Sequence, residues 1–325
     1  MTTANHDRIM AVDVGVTNVK VGLVDNHGQI SEYVQKPTEM DKGAGGSASV
    51  LVSSCREVLQ RANLSVQDPV AVGCSVPGNV NPDTGIIVSS ATPGWIGVDI
   101  REPLENSFDR EVAIEGDGAA STLAAYTFGP TRGHNNLLGL CVGTSTSCGY
   151  ILDGEIMRGA GQASMEAGHM HLFSNGKTCS CGSKGCWQAH AGGSALRTIL
   201  GQVKDSGVQI PSLPEEISEL AHANHEESLK IWEKQGELLG LGIGILLNIL
   251  NPRTVVLSGG ILKSWALFKK SLLKTAREKS LSRQAEAAIM CAPDPERAAL
   301  LGAAVCGIRH YGLTNFFVDH CRIAT

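Results

Sequence analysis

The sequence predicts a two-lobed α/β protein, and three observations carry that expectation. The chain has 325 residues, longer than one hydrophobic core usually organises. Apolar strand-like runs alternate with helical segments along it. One hairpin-like unit occurs twice: an apolar strand, a loop of Gly, Thr or Ser, and a returning strand that ends in a turn.

The first unit is Ile9-Met10-Ala11-Val12, then Asp13-Val14-Gly15-Val16-Thr17, then an apolar return over residues 19–24 that ends in Asp25-Asn26-His27-Gly28. Residues 50–62 read as a helix, and Val70-Ala71-Val72-Gly73 as a buried strand. Residues 111–115 form a further strand that runs into Gly116-Asp117-Gly118 and a helical run of small residues, 119–125. The second unit comprises residues 137–142, the loop 143–149, the strand Tyr150-Ile151-Leu152 and the turn Asp153-Gly154. Residues 215–222 and 226–250 are predicted helices, Thr254-Val255-Val256-Leu257 is a strand ending in Ser258-Gly259-Gly260, and residues 295–307 close the pattern as a helix. No low-complexity linker interrupts these elements, so the boundary is expected inside the fold, near Gly116 to Ala120. This gives a small lobe over 1–117, joined by a C-terminal helix over 308–325, and a large lobe over 118–307. Two polar hairpin loops, one per lobe, would suit a polyphosphate held between them.

Composition narrows the function. The hydrophobic content is 42% and the formal net charge is -5. No dense Lys/Arg block is present, which argues against a nucleic-acid backbone or an anionic membrane and favours a small-molecule ligand. The start, Met1 to Arg8, lacks the apolar core of a signal peptide. The longest greasy segment, 238–250, is short for a bilayer and carries Gly240, Gly242 and Gly244, so a closely packed buried helix in a cytoplasmic protein is expected. Cys55, Cys74, Cys141, Cys148, Cys291, Cys306 and Cys321 are scattered among apolar or Gly-rich neighbours, as buried free thiols are.

Three constellations carry chemistry. His169, Cys179, Cys181 and Cys186 offer an imidazole and three thiols within eighteen residues. A glycine-rich loop of this kind can wrap one tetrahedral zinc, and four protein ligands leave no position for water, which makes such a metal structural. The alternatives are a disulfide or chance clustering, although a Cys-x-Cys pair bridges poorly. Asp13-x-Gly15-x-Thr17 after a strand supplies backbone amides and a hydroxyl for phosphate, and a carboxylate for Mg2+; the same residues also suit an ordinary turn. Asp117, where a strand stops and a helix begins, is either a helix cap or a general base. Glu166 is either a solvated loop acid or a group for a hydroxyl-rich substrate.

Taken together these residues resemble the ROK family (repressor, open reading frame, kinase) of bacterial sugar kinases and sugar-responsive repressors. The resemblance spans almost the whole chain and rests on Asp13-Val14-Gly15-Val16-Thr17, Pro77-Gly78 with Val80, Pro93-Gly94-Trp95, Glu115-Gly116-Asp117, Gly143-Thr144, Glu166-Ala167-Gly168-His169, the Cys179-Cys181-Cys186 loop, and Asn251-Pro252 leading to Gly259-Gly260. It implies an actin-like, hexokinase-like ATPase fold with ATP and a hexose or hexosamine in a cleft between lobes. Asp117 would then take the proton of the sugar 6-hydroxyl. Gly78, Glu166, His169 and Gln188 would fall on the sugar side. Asp13, Gly15, Thr17, Gly143, Thr144, Gly259 and Gly260 would fall on the nucleotide side with Mg2+. His169 would also hold zinc through its other ring nitrogen, beside Cys179, Cys181 and Cys186, and the protein would be a homodimer or homotetramer.

The departures are specific. Val16 stands where the family has a second glycine, and Ser145, Ser147 and Cys148 replace glycines of the second loop. Side chains at positive φ are costly, so an altered loop path and phosphate grip are expected. Gly116 replaces an Asn, Ser90-Ala91-Thr92-Pro93 lacks a sugar-binding Asn, and Gln188 replaces a Glu. These changes point to a modified or epimeric hexose in preference to plain glucose. Family repressors carry a helix-turn-helix segment before the first loop, and the twelve residues ahead of Asp13 leave no room for one. A sugar-binding homologue with little or no kinase activity is the remaining alternative.

Overall fold

A computed structural model describes residues 8–39, 43–90, 94–205, 211, 213–313 and 316. Three expectations therefore lie outside the described residues: the start of the chain through Asp7, the segment Ala91 to Pro93, and nearly all of a helix beyond residue 313, with Cys321.

The elements are β1 (Arg8–Val14), β2 (Asn18–Asp25), β3 (Ile30–Pro37), α1 (Gly43–Ala62), β4 (Ala71–Val76), β5 (Asn79–Val80), β6 (Ile87–Ser89), α2 (Arg101–Phe108), β7 (Ala113–Gly116), α3 (Asp117–Thr127), β8 (Asn136–Val142), β9 (Thr146–Leu152), β10 (Glu155–Ile156), α4 (Gln188–Ala191), α5 (Gly193–Asp205), α6 (Pro214–His222), α7 (Glu226–Leu250), β11 (Thr254–Ser258), α8 (Trp265–Lys279), β12 (Ala288–Cys291) and α9 (Ala298–His310). They fall into two compact units. One comprises Met1–Asn135, Gly149–Met165 and Arg297–Thr325; the other comprises Asn136–Cys148 and Glu166–Glu296.

The first unit is built on a sheet of order β3-β2-β1-β4-β7. β1 and β2 pair antiparallel as the expected hairpin, while β1, β4 and β7 run parallel. β1 and β4 are buried almost throughout, which is why they read as continuous apolar runs, as strands covered on both faces do. The edge strand β3 has only Val34 buried and escapes the same test. Val12, Val21, Leu51, Val58, Leu104 and Phe108 belong to a core shared by the sheet, α1 and α2. α9 also packs against β1, β4 and α3. At Gly302 an added Cβ would lie 1.9 Å from the Ala120 carbonyl oxygen, so α3 and α9 meet backbone to backbone. This contact moves the division expected at 117/118 to 135/136, because α3 is packed within the first unit, and α9, expected within the large lobe, belongs to the first unit with it.

In the second unit β8, β11 and β12 run parallel, within a sheet of order β10-β9-β8-β11-β12 whose β9 carries the chain from one unit to the other. α7 is the expected close-packed helix. Its Gly236, Gly240 and Gly244 face the backbone of α8, and Gly242 faces the ring of Trp187. Among the described residues no helix is long and apolar enough to cross a membrane.

Both hairpin loops are tighter than the sequence suggests. β9 begins at Thr146, so the loop expected over 143–149 is only Gly143-Thr144-Ser145, matching the three-residue Gly15-Val16-Thr17 loop. Val16, Ser145, Ser147 and Cys148 all lie outside the positive-φ region. The strain expected from the lost glycines is therefore absent, because these loops turn without left-handed residues.

Candidate functional site

In the first unit the sheet register lines up one row of polar side chains. Lys20 pairs with Asp13, Asp13 with Ser75, and Ser75 with Glu115. Directly opposed residues share a face, so Asp13, Ser75 and Glu115 cross the carboxyl ends of the parallel strands β1, β4 and β7, and Lys20 joins the row from the start of the antiparallel β2. Ser75 Oγ donates to Asp13 Oδ1 at 2.7 Å, and Lys20 Nζ lies 3.3 Å from Asp13 Oδ2. Asp13 is 4% exposed, and each of its oxygens has a partner. The adjoining loop is braced by Thr38, whose hydroxyl donates to the Gly15 carbonyl at 2.7 Å and whose amide donates to the Thr17 carbonyl at 3.1 Å.

Glu115 is held more firmly. Arg158 Nη1 donates to its Oε1 at 3.0 Å, Arg158 Nη2 lies 2.6 Å from Oε2, and the Gly116 amide donates to Oε1 at 3.0 Å. Burial alone would lower the Arg158 pKa, but hydrogen bonding and attraction to Glu115 raise it. Beyond Gly116 the chain enters α3 with Asp117 as its first helical residue; Gly116, not Asp117, is the cap. The Asp117 carboxylate is half-buried and accepts the Gly118 amide at 2.8 Å through Oδ1. Gly116 fits because a Cβ there would stand 2.3 Å from the Gly78 carbonyl oxygen. Gly78, Gly116 and Asp117 are thus brought together, and a side chain at position 116 has no room in this packing.

In the second unit the Gly143-Thr144 loop follows β8, and Gly259-Gly260 follows β11, the strand beside it. The amides of Gly193 and Ser194, at the start of α5, donate to the Gly143 and Thr144 carbonyls at 2.9 and 3.0 Å. All four expected nucleotide-side residues of this unit therefore sit at the carboxyl ends of neighbouring parallel strands, a placement suited to phosphate oxygens.

The ligand atoms of His169, Cys179, Cys181 and Cys186 lie within 4.8 Å of one another. Cys181 Sγ and Cys186 Sγ are 3.7 Å apart, as are Cys179 Sγ and His169 Nδ1. A zinc tetrahedron with Zn–S bonds of about 2.3 Å has edges of about 3.8 Å, whereas a disulfide requires about 2.05 Å. The donor set and its spacing fit a four-coordinate metal, and no disulfide is present among the described residues. Burial opposes ionisation of Cys179, but hydrogen bonds from the Cys181 amide, Gln188 and the neighbouring thiols bring its pKa down to about 6. His169 turns Nε2 toward Glu166 Oε2 at 3.7 Å, so one ring nitrogen faces the cluster and the other a carboxylate. Gln188 is buried, 5% exposed. Its Oε1 accepts the Thr146 amide at 3.4 Å, and its Nε2 donates to Cys179 Sγ at 3.4 Å.

Away from these groups, burial pushes the Cys55 thiol up to about 12 and the Cys306 thiol higher still, consistent with inert core thiols. Sequence reasoning missed Lys20, Thr38, Ser75, Thr146 and Arg158. Ser75 had a signal, as a polar residue near the end of an apolar strand, two positions before Pro77-Gly78. Arg158 had none, because its partner lies 43 positions away in an element of unrelated pattern.

A ROK family model matches residues 9–309 of the chain. The glucokinase of Thermotoga maritima is 26% identical over 313 residues, covering 91% of this chain and 96% of that protein. The xylose repressor of Bacillus subtilis is 27% identical over 263 residues, covering 81% of this chain and 67% of the repressor. The crystal structure of a ROK family glucokinase from Streptomyces griseus, in complex with glucose and AMPPNP, superposes with a TM-score of 0.84 at 23% identity, covering 93% of this chain and 99% of that one. The expected α/β hexokinase-like fold is borne out.

Proposed function

The chain belongs to the ROK family, and from that premise we propose that it is a sugar kinase that transfers the γ-phosphoryl group of MgATP to the 6-hydroxyl of a hexose or hexosamine. The observation that carries this reading is Asp117: a half-buried carboxylate at the first position of α3, oriented by the Gly118 amide, in a relative of glucokinases. The sugar oxygen attacks the γ-phosphorus, the bond from that phosphorus to the β–γ bridging oxygen breaks, and ADP leaves. Asp117 takes the hydroxyl proton, and the product is the sugar 6-phosphate.

On the nucleotide side Gly15 and Thr17 in the first unit, and Gly143, Thr144, Gly259 and Gly260 in the second, offer amides and hydroxyls to the phosphates. Mg2+, when bound with the nucleotide, neutralises developing charge on the phosphate oxygens. Asp13 is the carboxylate in place to hold it, directly or through water. On the sugar side Glu166 and the Nε2 atom of His169 present an acceptor and a second polar group, with Gly78 beside Gly116-Asp117. His169 Nδ1 with Cys179, Cys181 and Cys186 would hold a structural zinc, its four positions filled by protein.

One observation favours a second reading, a sugar-binding homologue with weak or no kinase activity. Both Asp13 oxygens already face a donor, Ser75 on one and the Lys20 ammonium on the other, so Mg2+ bound there, directly or through water, competes with a protein cation for the same carboxylate. A coupled ADP-release assay across a panel of hexoses and hexosamines separates the two. Turnover that depends on both sugar and MgATP is expected, whereas sugar binding without ADP release would establish the second reading.

A further inference from the structure

Gln188 joins two features that sequence motifs treat separately, the metal-ligand cluster and the Gly143-Thr144-Ser145 loop. Thr146, the first residue of β9, follows that loop directly and is 3% exposed. Its amide is bound by Gln188 Oε1 at 3.4 Å. The other end of the same side chain donates to Cys179 Sγ at 3.4 Å and to Ser180 Oγ at 3.4 Å. A second tie comes from the His169 turn. Gly168 lies so close to this peptide that a Cβ would stand 2.3 Å from the Thr146 carbonyl oxygen and 2.9 Å from Gln188 Oε1. A third runs through the chain from Cys186 along α4 to Gly193 and Ser194, whose amides bind the Gly143 and Thr144 carbonyls. Three of the four metal ligands are thus braced against one four-residue stretch.

The identity of residue 188 matters to this linkage. A metal-binding thiolate sulfur accepts hydrogen bonds and cannot donate. Gln supplies the N–H it needs and still has a carbonyl oxygen for the Thr146 amide. An ionised Glu offers acceptors only and would place like charge beside the sulfur. Residues that orient metal ligands in this way commonly govern both metal retention and the geometry around it.

We propose that Gln188 is a positioning residue which makes occupancy of the His169/Cys179/Cys181/Cys186 site set the conformation of residues 143–146, and through it the affinity for nucleotide phosphates. The affinity half rests on the kinase reading; the conformational half does not. Binding linkage is reciprocal, so nucleotide would in turn tighten metal retention.

The test uses the full chain carrying zinc. Hydrogen exchange of the peptide spanning 143–146 is compared in the wild type, in the wild type stripped by a chelator, and in Gln188→Leu, with AMPPNP affinity measured by calorimetry in parallel. Exchange at Thr146 should rise about tenfold on stripping and in Gln188→Leu, the factor expected from losing one or two ordinary hydrogen bonds. The AMPPNP Kd should rise by a similar factor. Unchanged exchange between loaded and stripped wild type would overturn the proposal, and that comparison does not depend on Gln188→Leu folding. Exchange that responds while wild type binds no AMPPNP would uphold the metal-to-loop linkage and refute the kinase reading.

Discussion

Replacing Arg158 by Met isolates the ion pair that anchors the strand leading to Asp117. The Glu115 side chain is 5% exposed and accepts two guanidinium contacts, at 3.0 and 2.6 Å, with one further bond from the Gly116 amide. Met fills much of the Arg stem volume but leaves the carboxylate with a single donor. Breaking a buried pair from one side typically costs about 3–5 kcal/mol. Arg158 is itself 33% exposed, so water can reach part of the vacated space, and a loss of about 2–3 kcal/mol is expected. Because Gly116 and Asp117 follow Glu115 directly, kcat should also fall, with a smaller change in KM. The decisive comparison is the double variant Glu115→Gln with Arg158→Met. It removes the uncompensated charge while keeping an acceptor for the Gly116 amide, and should recover at least about 1 kcal/mol. Urea unfolding followed by circular dichroism, alongside steady-state kinetics, measures both effects. A loss below about 1 kcal/mol in Arg158→Met, or a double variant less stable than the single one, would refute the anchoring argument.

Three further outcomes are expected. Asp117→Asn keeps the acceptor for the Gly118 amide but is a poor base, so kcat should drop by about 10²–10⁴-fold with sugar affinity little changed; near-normal turnover would remove Asp117 from the chemistry. Metal analysis of protein prepared without chelator should find about one zinc per chain, and Cys181→Ser, at an exposed position, should lose it and weaken sugar binding more than global stability. Gly242→Ala places a Cβ 2.1 Å from Trp187 Cε2, and overpacking of this kind costs about 1–3 kcal/mol. Thermal unfolding should show that loss, and an unchanged midpoint would mean that Trp187 can move without disturbing Cys186 and Gln188.

Much of the framework follows from local pattern. The His169/Cys179/Cys181/Cys186 cluster is legible because its three cysteines lie within one short glycine-rich loop, where spacing alone limits the distance between their sulfurs. The first hairpin and the long helix α7 are legible because strand alternation and helical periodicity repeat within a few residues. Loop geometry is less so: Ser145 and Val16 look strained beside a glycine pattern, but only the backbone angles show that no left-handed residue is needed. Gln188 looks like a sugar-facing substitution, whereas its two amide ends are spent on Thr146 and Cys179.

What the sequence determined by itself was the alternation of strands and helices, the two polar loops and the donor set for a metal, all set by residues near one another along the chain. The tertiary structure alone decided that α9 packs on α3 through Gly302, that Ser75 reaches Asp13 across 62 positions, that Arg158 neutralises Glu115, and that Gln188 ties Thr146 to Cys179. Such contacts depend on strand register and on the close approach of distant backbones, and neither leaves a periodic trace in the chain.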